Sequence, residues 1–154
     1  MIYFNNVTKT YSEQMALNDV TFTVTAGEFV SIVGHSGAGK TTLTKMILAD
    51  DFPTEGTVFF ESINVHKLKN NDLTKLRRRI GVVFQDFKLL ANKTAYENIA
   101  FAMEAAGKTD EEIATDVPHV LDLVDLGNKI FHFPRQMSGG EQQRLAIARA
   151  IINQ

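Results

Sequence analysis

The residues best suited to chemistry are Gly34-His35-Ser36-Gly37-Ala38-Gly39-Lys40-Thr41, which satisfy the pattern G-x-x-x-x-G-K-[ST]. Glycines at these spacings let a loop turn its backbone N–H groups inward around a polyphosphate. A helix beginning near Lys40 adds its positive end, the lysine ammonium reaches the β/γ-phosphates, and the Thr41 hydroxyl can ligate Mg²⁺. The alternative is a glycine-rich turn that merely ends a strand. Against it stand the flanks the pattern requires: the mostly apolar run Glu28 to Val33 before the loop, and Leu43, Met46 and Ile47 at i, i+3 and i+4 after it.

A second run, Met137-Ser138-Gly139-Gly140-Glu141-Gln142-Gln143-Arg144, precedes Leu145, Ala148 and Ile152 at i, i+3 and i+7, so a glycine pair opens an amphipathic helix. Ser138 and Glu141 have capping-box spacing, and alone the segment reads as a well-capped helix. With the phosphate loop upstream, these residues resemble the LSGGQ signature of the ATP-binding-cassette (ABC) ATPases.

The resemblance extends over essentially the whole chain. Its texture in LRRRIGVVFQDFKLL (76 to 90), TAYENIAFAMEAAG and QMSGGEQQRLAIARA is most similar to the cell-division members of that family, with the ATPases of lipoprotein-releasing and macrolide exporters close by. It implies an α/β fold, a P-loop NTPase (RecA-like) core with an N-terminal antiparallel β-subdomain and an inserted α-helical subdomain. The implied division is 1–84 for the β-subdomain and phosphate-loop core, 85–137 for the Q-loop and helical subdomain, and 138–154 for the signature helix.

The resemblance also implies roles. Tyr11 lies where an aromatic stacks on adenine, although a lone Tyr near an N-terminus is more often packing. Gly34, His35, Ser36, Gly37, Ala38, Gly39, Lys40, Thr41 and Thr42 would hold the phosphates of ATP. Gln85, otherwise an ordinary surface glutamine, matches the Q-loop and would meet Mg²⁺ with Thr41. Ser138, Gly139, Gly140, Glu141 and Gln142 would close the other subunit's site in a head-to-tail homodimer. The implied cofactors are ATP and Mg²⁺. The implied partner is an FtsX-like transmembrane protein, docked on the segment from about 86 to 135 with Phe87, Leu89 and Leu90 as contacts. That places the chain in the cytoplasm, peripheral on the inner face of the cell membrane, with no nucleic acid.

Catalysis in this family uses four apolar residues and an Asp followed by a general-base Glu, and no such strand occurs through Gln154. Met46-Ile47-Leu48-Ala49-Asp50 has the letters but ends the helix after the phosphate loop, and Leu123-Val124-Asp125 reads as helical. No catalytic base is therefore assigned; Lys40 and Gln85 are supporting residues only. The C-terminal part of the core is expected to lie outside these residues, leaving apolar strand edges unpaired and the chain by itself inactive or slow.

The elements that must position these groups are legible from periodicity. Ile2 to Val7 and Val20 to Val24 alternate at period two, the turn Ala26-Gly27 follows, and Thr57 to Phe60 forms another strand. Glu28–Val33 reads as an interior strand of a parallel sheet, and Ile80–Phe84 as a strand that leads straight into Gln85. Asn70 to Arg79 reads as a basic helix. Thr94/Glu97 and Thr109/Glu112 start further helices, Gly107 stops one, and Pro118 should kink or restart another.

With 16 basic and 18 acidic residues the formal charge is −2, which argues against a generally basic nucleic-acid binder. Seven Lys/Arg nevertheless lie between Lys67 and Lys88 against two Asp, which reads first as a solvated face, next as a surface drawn to anionic lipid, and last as one for nucleic acid. Cysteine is absent, which excludes disulfides and thiol chemistry, and none of the four histidines has a neighbour at metal-ligand spacing. Three other classes compete: an ABC ATPase acting on nucleic acid or ribosomes, a nucleotide-binding module without turnover, and a small-molecule P-loop kinase, which has no use for the signature run.

Overall fold

The period-two alternation at the N-terminus builds a long hairpin. In the computed structural model, which describes residues 1–153, strand β1 (Ile2–Tyr11) pairs antiparallel with β2 (Gln14–Val24), from Ile2 opposite Val24 to Tyr11 opposite Gln14. Strand β3 (Glu55–Phe60) adds to the other edge of β1, and β4 (Ile63–Asn64) pairs with β3, giving the order β2-β1-β3-β4. The hairpin is bulged where Asn6 and Asp19 adopt positive φ. Side chains pin the bulge: the Asn6 side-chain amide donates to Asp19 at 2.8 Å, and the Asp19 N–H donates to Thr8 Oγ1 at 3.1 Å. Gly56 passes so close that a Cβ there would sit 2.2 Å from the Asn6 carbonyl, so only glycine fits.

Helix α1 (Lys40–Ile47) lies against β3 and buries Leu43 and Met46, which join Phe4, Val7, Leu17, Val58 and Val65 in the apolar interior of the first compact unit, Met1–Thr74. Helix α2 (Asn70–Arg78) gathers Lys75, Arg77 and Arg78 in its last turn, where the helix dipole favours cations.

The second unit, from Lys75 onward, is helical. Helices α3 (Ala95–Ala106), α4 (Asp110–Leu123) and α5 (Gly139–Ile151) pack around Ile99, Met103, Val117, Leu121, Leu126 and Leu145, all inaccessible to solvent. All three expected capping boxes are formed, at Thr94/Glu97, Thr109/Glu112 and Ser138/Glu141, and Gly107 ends α3 in the left-handed conformation.

Two expectations are corrected. Neither Glu28–Val33 nor Ile80–Phe84 is a strand; Phe29 and Val33 are 94% and 87% exposed, and Val83 and Phe84 are also exposed. An apolar run becomes a parallel strand only when neighbouring strands accept its N–H and C=O groups, and among the described residues none pairs with these. Pro118 does not restart its helix either, since α4 runs through it. Burial of Val117, Val120 and Leu121 around the proline offsets a penalty of about 3 kcal/mol.

Asn98 is the one buried polar side chain of this helical core among the described residues. Its carbonyl accepts from the Leu90 N–H at 2.8 Å, and its amide donates to the carbonyls of Leu90, Lys93 and Thr94 at 3.1, 3.0 and 2.9 Å, tying the incoming loop to α3. Asn98→Ala leaves those backbone groups short of partners and is expected to cost at least about 1–3 kcal/mol in urea unfolding followed by circular dichroism.

Candidate functional site

The glycine-rich loop sits between the exposed run that ends at Val33 and the start of α1. Gly37 and Gly39 take φ of 82° and 87°, and the Ala38 N–H closes a turn onto the His35 carbonyl at 3.2 Å. Gly39 is the residue before α1, and it approaches β2 so closely that a Cβ would lie 2.4 Å from the Ala16 carbonyl. Lys40 folds back across the loop and donates to the carbonyls of Gly34 and His35, both at 2.7 Å. No acidic residue stands in the first turn of α1, and Gly39 contributes no capping side chain. The loop therefore presents a helix start and an ammonium group with no competing carboxylate, an arrangement suited to an anion.

Tyr11 closes β1 and is 40% exposed. Its hydroxyl donates to Asp51 Oδ2 at 2.6 Å. Lys9, two residues earlier on the strand, donates to Asp51 Oδ1 and to the Phe52 carbonyl, both at 2.7 Å, and its ammonium lies 4.7 Å from the Tyr11 ring centroid. The Lys9 ammonium, and after it the Tyr11 hydroxyl, hold the Asp51 carboxyl down to about 2. The same bond to Asp51 raises the Tyr11 phenol above its ordinary value, burial adds to the rise, and a side-chain hydrogen bond with Thr42 acts the other way. Tyr11 is thus brought beside α1, the helix that the phosphate loop opens.

His66 completes this cluster. Its Nε2 lies 3.0 Å from the Asp51 carbonyl and its ring packs at 5.4 Å on Phe52, while Nδ1 is buried without a hydrogen-bond partner. Burial is the main cause holding the imidazole below its ordinary value, so the neutral ring is the folded form.

The remaining expected residues belong to the second unit. Gln85 is exposed in a turn closed by the Phe87 N–H on the Phe84 carbonyl at 2.9 Å. Beyond it Phe87 and Lys88 adopt positive φ of 56° and 47°, and their carbonyls accept from the Arg149 guanidinium of α5 at 2.7 and 2.8 Å. Of the residues expected to dock a partner, Leu89 is partly buried against the helical core.

Ser138, Gly139 and Gly140 are exposed at the start of α5. Ser138 Oγ accepts from the Glu141 N–H at 3.3 Å, and Glu141 returns a carboxylate oxygen to the Ser138 N–H at 2.8 Å. That N–H is the main cause holding the Glu141 carboxyl below its ordinary range. Gln142 turns inward to the Pro134 and Met137 carbonyls at 3.0 and 3.1 Å, bracing the loop that enters the helix.

Sequence reasoning missed Lys9, Asp51, His66 and Arg149. The shared strand face of Lys9 and Tyr11, two residues apart, was a usable signal for the first; the others are brought in by tertiary packing.

A family model described as ABC transporter matches residues 17–154. The chain belongs to the ABC transporter family. It is 47% identical to the cell division ATP-binding protein FtsE of Mycobacterium tuberculosis over 155 residues, which cover 99% of this chain and 67% of that one. Against FtsE of Bacillus subtilis the identity is 47% with 99% and 68% covered, and against FtsE of Escherichia coli K12 it is 44% with 99% and 69% covered. The fold is similar to two dimeric structures of the ATP-binding cassette MJ0796 at a TM-score of 0.91, one in a post-hydrolysis state bound to ADP and Pi. Identities are 41% and 42%, with 99% of this chain and 70% of each solved chain covered. The α/β fold that the resemblance implied is the fold of these cassettes. No helix among the described residues is long and apolar enough to cross a membrane.

The neutral His66 makes a pH prediction. Because its folded value is depressed, the unfolded chain takes up a proton first as pH falls below about 6.5, and stability is lost in that range. Urea midpoints at pH 7.5 and 5.5 should therefore differ more for the wild type than for His66→Gln; equal differences would remove this assignment.

Proposed function

We propose that the chain binds ATP with Mg²⁺ as the nucleotide-binding subunit of a cell-division membrane complex. In that complex ATP binding and hydrolysis would be passed as a conformational signal to an FtsX-like transmembrane protein. The observation that carries this reading is the Lys40 loop, with an ammonium drawn over two loop carbonyls at a helix start, in a chain 47% identical to FtsE proteins over nearly its whole length.

The residues fit a polyphosphate. Gly34 to Thr42 supply backbone amides, the start of α1 and the Lys40 ammonium. Phosphate oxygens are stronger acceptors for that ammonium than the carbonyls of Gly34 and His35, and charge assistance favours the exchange. The exposed Thr41 hydroxyl would hold Mg²⁺, and Gln85 is assigned the same ion from its motif alone. The ion would neutralise charge on the phosphates. Tyr11, half-exposed at the end of β1, offers a ring face to the adenine base.

Ser138 to Gln142 are read as the group that meets the γ-phosphate held by a second copy in a head-to-tail homodimer. In Ser138 the lone pair already serves as a cap, while the hydroxyl proton is the part a phosphate needs. Work at the cytoplasmic face of the membrane follows from the assigned partner.

Lys40→Ala is the direct test. Loss of the only side-chain cation in the loop should weaken binding of a fluorescent ATP analogue by at least about tenfold, the scale of one charge-assisted contact. Unchanged affinity in equilibrium titration would overturn the assignment of the loop.

A further inference from the structure

The cluster around Asp51 has no role in holding phosphate, yet it converges on the one aromatic ring read as the base platform. The ring is held at two points, and the carboxylate that holds it is itself anchored. Its hydroxyl is tied to Asp51 Oδ2 at 2.6 Å. One side is covered by the Lys9 ammonium, 4.7 Å from the centroid, and that ammonium is itself held by Asp51 Oδ1 and the Phe52 carbonyl. Asp51 is further fixed by the Phe52 N–H, which donates to Oδ1 at 2.7 Å, and by His66 on its carbonyl. A tyrosine at a strand end with 40% exposure would otherwise sample several χ1 wells, and a base that stacks on it would have to stop that motion.

We propose that Asp51 and Lys9 are positioning residues for recognition of the nucleotide base: they hold the Tyr11 ring in one orientation and cover one of its faces, so that the other is offered to adenine. The proposal rests on reading Tyr11 as the base platform. Neither residue touches the nucleotide in this arrangement. Asp51 acts through the phenol hydroxyl, and Lys9 acts by a cation–π contact and by anchoring the carboxylate.

The test compares ATP with inorganic tripolyphosphate, which has no base, each displacing a fluorescent ATP analogue from the full chain. Tyr11→Ala should weaken ATP relative to tripolyphosphate by between about fivefold and about a hundredfold, the range for a base on an aromatic face. Asp51→Ala and Lys9→Met should each weaken ATP relative to tripolyphosphate by about two- to tenfold, and neither should add to the loss already caused by Tyr11→Ala. Asp51→Asn, whose side-chain oxygen still accepts from the phenol, should retain most of the affinity. Tyr11→Phe removes only the hydroxyl that Asp51 holds and should reproduce the part of the Asp51→Ala loss that acts through it, which keeps the test intact if Asp51→Ala folds poorly.

If Tyr11→Ala leaves the ratio of the two affinities unchanged, Tyr11 is not the base platform and the earlier reading fails. If Tyr11→Ala changes the ratio while Tyr11→Phe and Lys9→Met do not, or if the Asp51→Ala loss persists in the Tyr11→Ala background, the platform stands and the brace is overturned.

Discussion

The position of the phosphate loop depends on one close approach. At Gly39 the backbone passes β2 with space for a hydrogen and nothing more, since a Cβ would lie 2.4 Å from the Ala16 carbonyl and 2.9 Å from Leu17 Cδ2. Leu17 is buried and stands opposite Lys9 in the hairpin register. The start of α1 is thereby set against the hairpin whose end carries Tyr11. The far end of the same helix is set against that hairpin by a different force. After Ile47 the chain turns through Ala49, at φ 48°, and delivers Asp51 to Lys9 and Tyr11. Contact without spare volume fixes one end of α1 and an ion pair fixes the other, so loop and aromatic ring belong to one rigid arrangement.

What the sequence revealed and what it concealed separate along a physical line. Capping boxes, the left-handed stop at Gly107, the alternation of the hairpin and the glycine loop are local, because each is encoded within about four residues of where it acts. Lys9 and Asp51 are 42 residues apart, and Arg149 lies 61 residues from Lys88; no periodicity announces such pairs. The two apolar runs show the same limit from the other side. Their composition suits a strand, but pairing is a property of neighbours, and side-chain pattern alone does not supply them. Helix α4 continues through Pro118 for a related reason, since packing around Val117 and Leu121 outweighs a local preference against helix.

Backbone strain is distributed unevenly. Phe87 and Lys88 both hold positive φ without being glycine, at a cost of order 1–3 kcal/mol each. Such a pair persists only where surrounding bonds over-determine it. Arg149 supplies them, because a planar guanidinium reaches two successive carbonyls at once, which an ammonium on a flexible stem does with less preorganisation. The segment that follows Gln85 is in this way held by the same helix, α5, that the signature run opens.

The glycines divide into two kinds, and the division bears on where a second molecule could approach. Gly39, Gly56 and Gly81 each lie within 2.4 Å, from a would-be Cβ, of a carbonyl oxygen of this chain, so their smallness is used by the fold itself. A Cβ at Gly139 or Gly140 would meet nothing within 4 Å, so the fold itself makes no use of their smallness. Two exposed glycines behind a capping serine present bare backbone at the positive end of a helix, a surface that a phosphate could approach closely. The proposed assignment of this end to a nucleotide on a second copy draws its physical support from that open approach.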